Sequence, residues 1–189
     1  MHLVFLGPPG AGKGTQAKRV AAAHTLAHLS TGDMLRDAMA KGTPVGLKVK
    51  DIVASGELVP DDVVDALVSD NLTEIASNGG YILDGYPRKL SQAQTLSGVL
   101  AGLKTPLSAV IYIHVEDEEL VRRLSGRAAR EGRADDTEET VRERLRVYRE
   151  STAPLVQHYG AQGLLRRING AGSIDEVNAR IESALEEDA

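Results

Sequence analysis

A glycine-rich run near the start of the chain has the residue types and the spacing that bind phosphate. The run Gly7-Pro8-Pro9-Gly10-Ala11-Gly12-Lys13-Gly14-Thr15 follows the apolar residues 3–6 and leads into a segment of helical composition. Its glycines allow backbone N–H groups to turn toward an anion, and the helix adds the positive end of its dipole. In the usual phosphate loop a Ser or Thr follows the lysine directly, whereas here Gly14 intervenes and the hydroxyl comes at Thr15. The run therefore predicts a variant phosphate-binding loop, with Lys13 reaching the outer phosphates.

A second chemical feature is a concentration of arginine. Nine of the fifteen arginines lie between residues 122 and 149, a window without lysine. A guanidinium is a rigid fork matched to phosphate oxygens, whereas a merely solvated helix face would mix Lys with Arg. Helical geometry puts Arg123 and Arg144 beside apolar stripes, where a charge needs a partner, so we expect these two to face phosphate. Surface pairing with nearby glutamates is expected for Arg142, Arg146 and Arg149.

Two further arginines of this window, Arg127 and Arg133, fall in a polar stretch between helices. Gly126 and Gly132 flank these positions, which predicts that the preceding helix ends at Gly126 and that a loop follows that can swing over a ligand. The acidic pair Asp135-Asp136 can tether that loop by pairing with arginine, or can cap the next helix. The sequence leaves both roles open.

A carboxylate stands at the end of a second apolar run. Asp84 follows residues 81–83, and the turn Gly85-Tyr86-Pro87-Arg88 comes directly after it. In parallel α/β sheets the carboxyl ends of the strands form the edge that binds ligands. We therefore expect Asp84 to face the same crevice as the glycine loop.

Strands that alternate with helices must position these groups. Apolar runs predict strands at 3–6, 27–30, 81–84, 109–115 and 164–168, with amphipathic helices between them. The pattern predicts an α/β fold, a doubly wound five-stranded parallel sheet in a single domain over residues 1–189. Two insertions interrupt it, a helical hairpin at 30–59 and the short loop at 126–136.

Composition limits the kind of protein further. The chain has 189 residues, of which 42% are hydrophobic and 26% charged, as is usual for one globular domain. Its net charge of −5 argues against general binding to nucleic acid or to an anionic membrane. It contains no cysteine, which excludes disulfides and thiolate zinc sites. No secretory or membrane-spanning segment is recognised, so we expect a cytoplasmic protein.

Four motifs together resemble the adenylate kinases, and they cover essentially the whole chain. They are the glycine loop with Gly14, the run Ser30-Thr31-Gly32-Asp33-Met34-Leu35-Arg36, the turn Asp84-Gly85-Tyr86-Pro87-Arg88, and Gly126-Arg127 with Arg133-Ala134-Asp135-Asp136. The resemblance implies a P-loop kinase with a helical NMP-binding insertion and a short lid. It also implies that a monomer transfers a phosphoryl group reversibly from Mg·ATP to AMP, which gives two ADP. The transfer would be in line and would need no general base. The short lid lacks the zinc-binding cysteines of some relatives, so no zinc is expected.

The resemblance also implies roles for individual residues. The ATP site would comprise Gly10, Ala11, Gly12, Lys13, Gly14, Thr15, Arg123, Arg127 and Gly172. The AMP site would comprise Thr31, Arg36, Glu57, Leu58, Val59, Gly85, Tyr86, Pro87, Arg88, Gln92, Arg133 and Arg144. Catalysis would involve Lys13, Asp84, Arg88, Arg123, Arg133 and Arg144, with Asp84 orienting Mg²⁺ through its waters. Tyr86 stands where the family more often has Phe, a change that keeps the ring.

Three other functions share some of these features. A UMP/CMP kinase has the same loop, turn and short lid, but Thr31 disfavours it because the pyrimidine kinases carry a smaller residue there. A nucleotide sensor that binds ATP without catalysis would not need Lys13, Asp84 and the arginines together. A switch GTPase would carry an Asn-Lys-x-Asp run, which this sequence lacks.

Overall fold

The computed structural model of the chain describes residues 1–75, 79–131 and 137–186, with the backbone alone for 127–131. Its centre is a parallel sheet made of the strands β1 (His2–Leu6), β2 (Ala27–Ser30), β3 (Tyr81–Asp84), β4 (Ala109–His114) and β5 (Leu165–Asn169). They lie in the order β2-β3-β1-β4-β5. The predicted five-stranded parallel sheet is therefore confirmed.

Helices cover both faces of this sheet. They are α1 (Lys13–His24), α2 (Thr31–Ala40), α3 (Pro44–Ser55), α4 (Asp61–Ile75), α5 (Leu90–Leu103), α6 (Asp117–Glu131), α7 (Glu138–Val147), α8 (Pro154–Ala161) and α9 (Ile174–Glu186). Leu3 and Phe5 of β1 belong to a core shared with α1, α6 and α9. Val4 and Leu6 belong to a second core with α4, α5 and α8. Because both faces are buried, the inner strands read as continuous apolar runs.

The helical hairpin predicted within 30–59 is present as α2 and α3. Ser30 caps α2 by accepting from the Asp33 N–H at 3.2 Å, so residues 31–33 form its first turn. Thr43 caps α3, and Gly56 ends it with a φ of 82°. The capping residues therefore fix the insertion on the ligand edge of the sheet, directly after β2.

Helix α6 differs from the prediction. It continues through Gly126 to Glu131, so Arg127 lies on helical backbone and the expected end at Gly126 is wrong. The following residues, Arg127 to Glu131, are good helix formers, and one glycine costs only about 1 kcal/mol within a helix. Arg133 and the pair Asp135-Asp136 lie outside the described residues.

A single π turn, Tyr148–Thr152, separates α7 from α8. The Ala153 N–H donates to the Tyr148 carbonyl at 2.8 Å, the longer spacing typical of such a turn. Pro154 follows in the first turn of α8, a position where a helix tolerates the missing N–H. The turn places the Thr152 hydroxyl 2.9 Å from the Arg88 carbonyl, which it donates to.

The last helix begins with a capping box. The Ser173 N–H donates to the Glu176 carboxylate at 2.7 Å, and the Glu176 N–H donates to the Ser173 hydroxyl at 3.3 Å. Bonds from Ser173 hold the pKa of Glu176 below its usual value. Within the described ranges no helix combines the length and the apolar character needed to cross a bilayer.

Candidate active site

A crevice of about 570 Å³ opens at the carboxyl edge of the sheet. The glycine loop forms one wall, and Asp84 at the end of β3 forms its floor. Four of the arginines singled out from the sequence also line it, namely Arg36, Arg88, Arg123 and Arg144. The fold therefore brings together residues that are more than a hundred positions apart in the chain.

The glycine loop delivers the start of α1 to this crevice. Helix α1 begins at Lys13, and the cap position is Gly12, which has no side chain to accept from the first-turn N–H groups. Such N–H groups are the anion-binding end of a helix. The Lys13 ammonium donates to the Gly7 carbonyl at 2.7 Å and to the Pro8 carbonyl at 2.9 Å, which holds it over the loop.

Asp84 lies beside the loop, and 8% of the residue is exposed. Its Oδ2 would stand 3.2 Å from a Cβ added to Gly14. On its other side the same oxygen lies 3.4 Å from the Nε2 of His28. A side chain at position 14 would crowd this carboxylate, which is consistent with the glycine that departs from the usual loop pattern.

The turn after Asp84 is held by its neighbours. The Thr31 hydroxyl donates to the Gly85 carbonyl at 3.0 Å, and Arg88 Nε donates to the same oxygen at 2.8 Å. Gly85 has a φ of 83°, and a Cβ there would lie 2.8 Å from the Thr31 hydroxyl. Glycine is therefore required at this position for both backbone and steric reasons.

Tyr86 is a buried residue of this turn. Its ring is 2% exposed, and its hydroxyl donates to the Asp65 carboxylate at 2.6 Å. Burial, together with the Asp65 carboxylate, raises the pKa of Tyr86. The hydroxyl that distinguishes this chain from a Phe-bearing relative is therefore a partnered core group.

A second cavity of about 80 Å³ lies against the insertion. Its walls include the described residues of the predicted AMP site apart from the buried Tyr86 and the neighbouring Pro87, namely Thr31, Arg36, Glu57, Leu58, Val59, Gly85, Arg88, Gln92 and Arg144. Pro87 lines a third cavity of about 70 Å³ next to it. The fold thus brings together the predicted acceptor residues that the structure describes.

Arginines stand where the crevice meets the second cavity. Arg36, Arg88 and Arg144 line both spaces. Arg36 Nη2 lies 2.5 Å from the Asp33 carboxylate. Burial raises the pKa of Asp33, but the bond and charge of Arg36, together with Lys18 and Ser30, outweigh it and hold that pKa below its ordinary value. Arg144 passes close to Gly56, where an added Cβ would lie 2.9 Å from its Cγ.

Arg123 lies at the opposite end of the crevice. Its Nε donates to Glu119 at 2.7 Å, and its Nη2 donates to the Gly170 carbonyl at 2.9 Å. The bond from Arg123 lowers the pKa of Glu119. Gly172, predicted for the ATP base, lines the same end with a φ of 104°. Both residues predicted for the ATP site at this end, Arg123 and Gly172, thus line one crevice.

The arginines expected at the surface are found there. Arg142 pairs with Glu138 at 2.6 Å, and Arg146 pairs with Glu143 at 2.5 Å. Arg149 is also exposed, but its partner is Asp117 of α6 and not a glutamate. The side chain of Arg127 and the whole of Arg133 lie outside the description, so their predicted roles stay predictions.

Some residues at the site were missed by sequence reasoning. Asp61 accepts from Gln92, Asp65 accepts from Tyr86, and the Thr140 hydroxyl donates to the Ala54 carbonyl at 3.3 Å. Their only sequence signal was a position near the start of a helix, which is equally typical of ordinary capping. Each acts through a contact that forms only when the fold is complete.

The strand order, the glycine loop before α1 and the arginine-lined crevice define a P-loop kinase fold. The family model described as adenylate kinase matches residues 5–164. An adenylate kinase of Thermus thermophilus is 52% identical over 97% of this chain and 96% of its own length. An adenylate kinase of Stenotrophomonas maltophilia is 49% identical over 98% of this chain and 99% of its own length. An adenylate kinase of Parvibaculum lavamentivorans is 51% identical over 98% of this chain and 92% of its own length.

The chain therefore belongs to the adenylate kinase family. It is an enzyme of the phosphotransferase class, and nucleotides are its substrates.

Proposed function

We propose that the crevice binds Mg·ATP and AMP side by side and passes the γ-phosphoryl group directly between them, giving two ADP reversibly. One observation carries this proposal. The large crevice and the smaller cavity share Arg36, Arg88 and Arg144 at their junction. Two polyanions that meet there would have their charge neutralised by guanidinium groups, which is the main demand of phosphoryl transfer.

The glycine loop is the proposed site of the ATP phosphates. Backbone N–H groups of residues 10–15 would cradle them, and the Lys13 ammonium would leave the loop carbonyls to follow the transferred charge. The ATP base would lie near Arg123 and Gly172, at the far end of the same crevice. The proposal extends to Arg127 and Arg133, which would approach the phosphates from the lid.

The second cavity is the proposed site of AMP. Arg36 and Arg88 would hold its phosphate, and Thr31, the 57–59 backbone, the 85–88 turn and Gln92 would surround its base. A carboxamide can donate to and accept from one adenine edge, which suits Gln92 to this role. Arg144 would contact the group in transit, because it lines both spaces.

A magnesium ion fits the residues at the loop. Mg²⁺ usually keeps several waters and binds through one or two carboxylates together with substrate phosphates. Asp84 supplies one carboxylate beside the loop, and Thr15 supplies a hydroxyl on the crevice wall. When bound, the ion would neutralise phosphate charge.

No general base is needed for this reaction. The phosphate of a nucleoside monophosphate is largely anionic at neutral pH, so its oxygen can attack without first losing a proton. The chain's own contribution is to align the two phosphates in line and to exclude water. Adenylate kinases are among the standard examples of lid closure, and we propose that the 30–59 insertion and the 126–136 lid close over the substrates.

We further propose a cytoplasmic monomer that needs no zinc. Membership of the adenylate kinase family supports a monomer, and no cysteine is present to bind zinc. Sedimentation at several protein concentrations tests whether the protein is a monomer. A single species near the mass of the chain, 20.1 kDa, is expected, and a concentration-dependent dimer would contradict it.

The acceptor is tested by a coupled assay with Mg·ATP and each of AMP, UMP, CMP and GMP. Rapid turnover with AMP alone supports the proposal. Preference for UMP or CMP would replace it with a pyrimidine kinase. Binding of ATP without turnover of any acceptor would favour a nucleotide sensor.

A further inference from the structure

The carboxamide of Gln92 is held by two protein groups of opposite character. Its Nε2 donates to Oδ1 of Asp61 at 3.0 Å, and its Oε1 accepts from the Arg88 backbone N–H at 2.8 Å. The side chain is 2% exposed and lines the smaller cavity. It is therefore fixed in position while one of its edges meets the acceptor site.

These two partners allow only one orientation of the amide. A backbone N–H can only donate, so it must face the carbonyl oxygen of Gln92. An ionised carboxylate can only accept, so it must face the NH₂ group. A flipped carboxamide would set oxygen against oxygen at Asp61 and NH₂ against N–H at Arg88. Both contacts thus oppose the same rotation.

Asp61 is well suited to this task because it is itself anchored. Lys89 Nζ lies 2.9 Å from its Oδ1, and the Ser91 hydroxyl donates to its Oδ2 at 2.9 Å. Burial on its own would raise the pKa of Asp61, but the bonds from Lys89, Ser91 and Gln92 outweigh it and hold the pKa below the usual value. The group is therefore a charged acceptor at neutral pH.

Once these two bonds are made, the amide keeps one N–H and one acceptor position. The Watson–Crick edge of adenine offers the complement, an acceptor at N1 and a donor at its 6-amino group. Hypoxanthine and guanine offer the reverse, a donor at N1 and an acceptor at O6. A carboxamide that could rotate would suit either kind of base, whereas a fixed one suits only one kind.

We propose that Asp61 is a specificity-determining positioning residue, which locks the Gln92 carboxamide in the orientation that accepts a 6-amino purine and rejects a 6-oxo purine. This inference rests on the proposed placement of AMP in the smaller cavity. It assigns Asp61 no contact with the substrate and no part in phosphoryl transfer. Its expected effect is on the relative activity with a 6-amino purine and a 6-oxo purine acceptor.

The test compares AMP with IMP, which has nearly the same shape but carries the 6-oxo edge. Asp61→Asn keeps the size of the side chain and its suitability near a helix start, but its amide can face Gln92 with either an acceptor or a donor. We expect the ratio of kcat/KM for AMP to that for IMP to fall by about tenfold. The orientation of the Gln92 carboxamide that suits AMP would then lose its hydrogen bond to a charged group, so it would be less favoured over the flipped orientation. The change should lie in KM, with kcat for AMP largely kept.

Ser91→Ala is the matched control. It removes one bond to Asp61 but leaves the Asp61–Gln92 contact and the Lys89 ion pair that anchors Asp61, so its AMP to IMP ratio should stay at the wild-type value. Asp61→Ser provides a second variant if Asp61→Asn is unfolded by circular dichroism. It should lower the ratio in the same direction.

The outcomes separate the two proposals. If the wild-type protein phosphorylates AMP far better than IMP and the Asp61 variants lose AMP and IMP activity equally, Asp61 is only structural and the inference is overturned. An unchanged ratio overturns it too. If the wild-type protein does not prefer AMP at all, the proposed function itself has failed, whatever the variants do.

Discussion

The carboxylate of Asp84 lies directly against the backbone of Gly14, so that a Cβ at position 14 would stand 3.2 Å from its Oδ2. The two residues come from β3 and from the first turn of α1, and they meet at the carboxyl edge of the sheet. A side chain in place of the extra glycine after Lys13 would be in tight contact with the carboxylate. We therefore expect the residue at position 14 to influence how near Asp84 can lie to the phosphates of the proposed nucleotide.

The first prediction concerns this contact. Gly14→Ala should displace the Asp84 carboxylate by a few tenths of an ångström and lower kcat/KM by about tenfold, while raising the Mg²⁺ concentration needed for half-maximal rate. Stability should not fall in parallel, because Ala is favoured over Gly within a helix by about 1 kcal/mol. Steady-state kinetics with a Mg²⁺ titration, together with thermal unfolding, measure both effects.

Gly98→Ala is the control for Gly14→Ala. Gly98 lies in helix α5, and an added Cβ there meets nothing within 4 Å. Its activity should remain that of the wild type. Full activity in Gly14→Ala would show that the contact with Asp84 has no bearing on the reaction.

The second prediction concerns Lys13. Replacing it with Met should lower kcat by on the order of 10³-fold, as removal of a group that stabilises transferred charge does, while the fold survives. Lys41→Met removes a surface lysine that pairs with Asp37 and should leave kcat unchanged. Kinetics with saturating ATP and AMP decide the matter, and a fully active Lys13→Met protein would remove Lys13 from the site.

The third prediction concerns Arg88, which lies between the two cavities. Arg88→Ala should reduce kcat by on the order of 10³-fold and weaken AMP binding more than ATP binding. Its side chain also donates to the Gly85 carbonyl, so far-UV circular dichroism must show an intact fold. Equal loss of affinity for both nucleotides would place Arg88 outside the acceptor site.

The fourth prediction concerns stability. Tyr86→Phe removes the hydroxyl that donates to Asp65 and should lower the free energy of unfolding by about 1–2 kcal/mol. Tyr159→Phe is the matched control, because the buried Tyr159 hydroxyl has no hydrogen-bond partner among the described residues. Its removal should cost less or even stabilise the protein. Urea unfolding of both variants ranks them, and the reverse ranking would refute the assignment.

The fifth prediction concerns the insertion. The Thr140 hydroxyl joins α7 to the end of α3 through the Ala54 carbonyl. Thr140→Val keeps the shape but loses this bond, so KM for AMP should rise by about fivefold with kcat little changed. Thr95→Val, which removes a hydroxyl bonded to Ser91 within α5, is the control. An unchanged KM in Thr140→Val would mean that this contact does not hold the insertion.

Much of the fold could be predicted because its signals are local. Strands β1, β3 and β4 are buried on both faces, so their residues form apolar runs that stand out in the sequence. Ser173 and Thr43 mark helix starts by side-chain chemistry that needs no tertiary contact. Gly126 shows the limit of such signals, because one glycine cannot outweigh good helix formers on either side of it.

The site residues also fall into those with a local sequence signal and those without one. Lys13, Asp84 and Arg88 could be assigned because each belongs to a short motif with its own phosphate chemistry. Asp61 could not, since an acid at the start of a helix is ordinarily explained by the helix dipole. Its bond to Gln92 joins residues 31 positions apart. Only the assembled fold puts these two side chains together.

The central claim is that one crevice holds both nucleotides with their phosphates facing each other. Inhibition by a single molecule that carries two adenosines joined through a chain of five phosphates tests it most directly. The inhibitor should compete with ATP and also with AMP, bind one to one, and lose affinity in Lys13→Met and in Arg88→Ala alike. Competition with only one of the two nucleotides would contradict the claim.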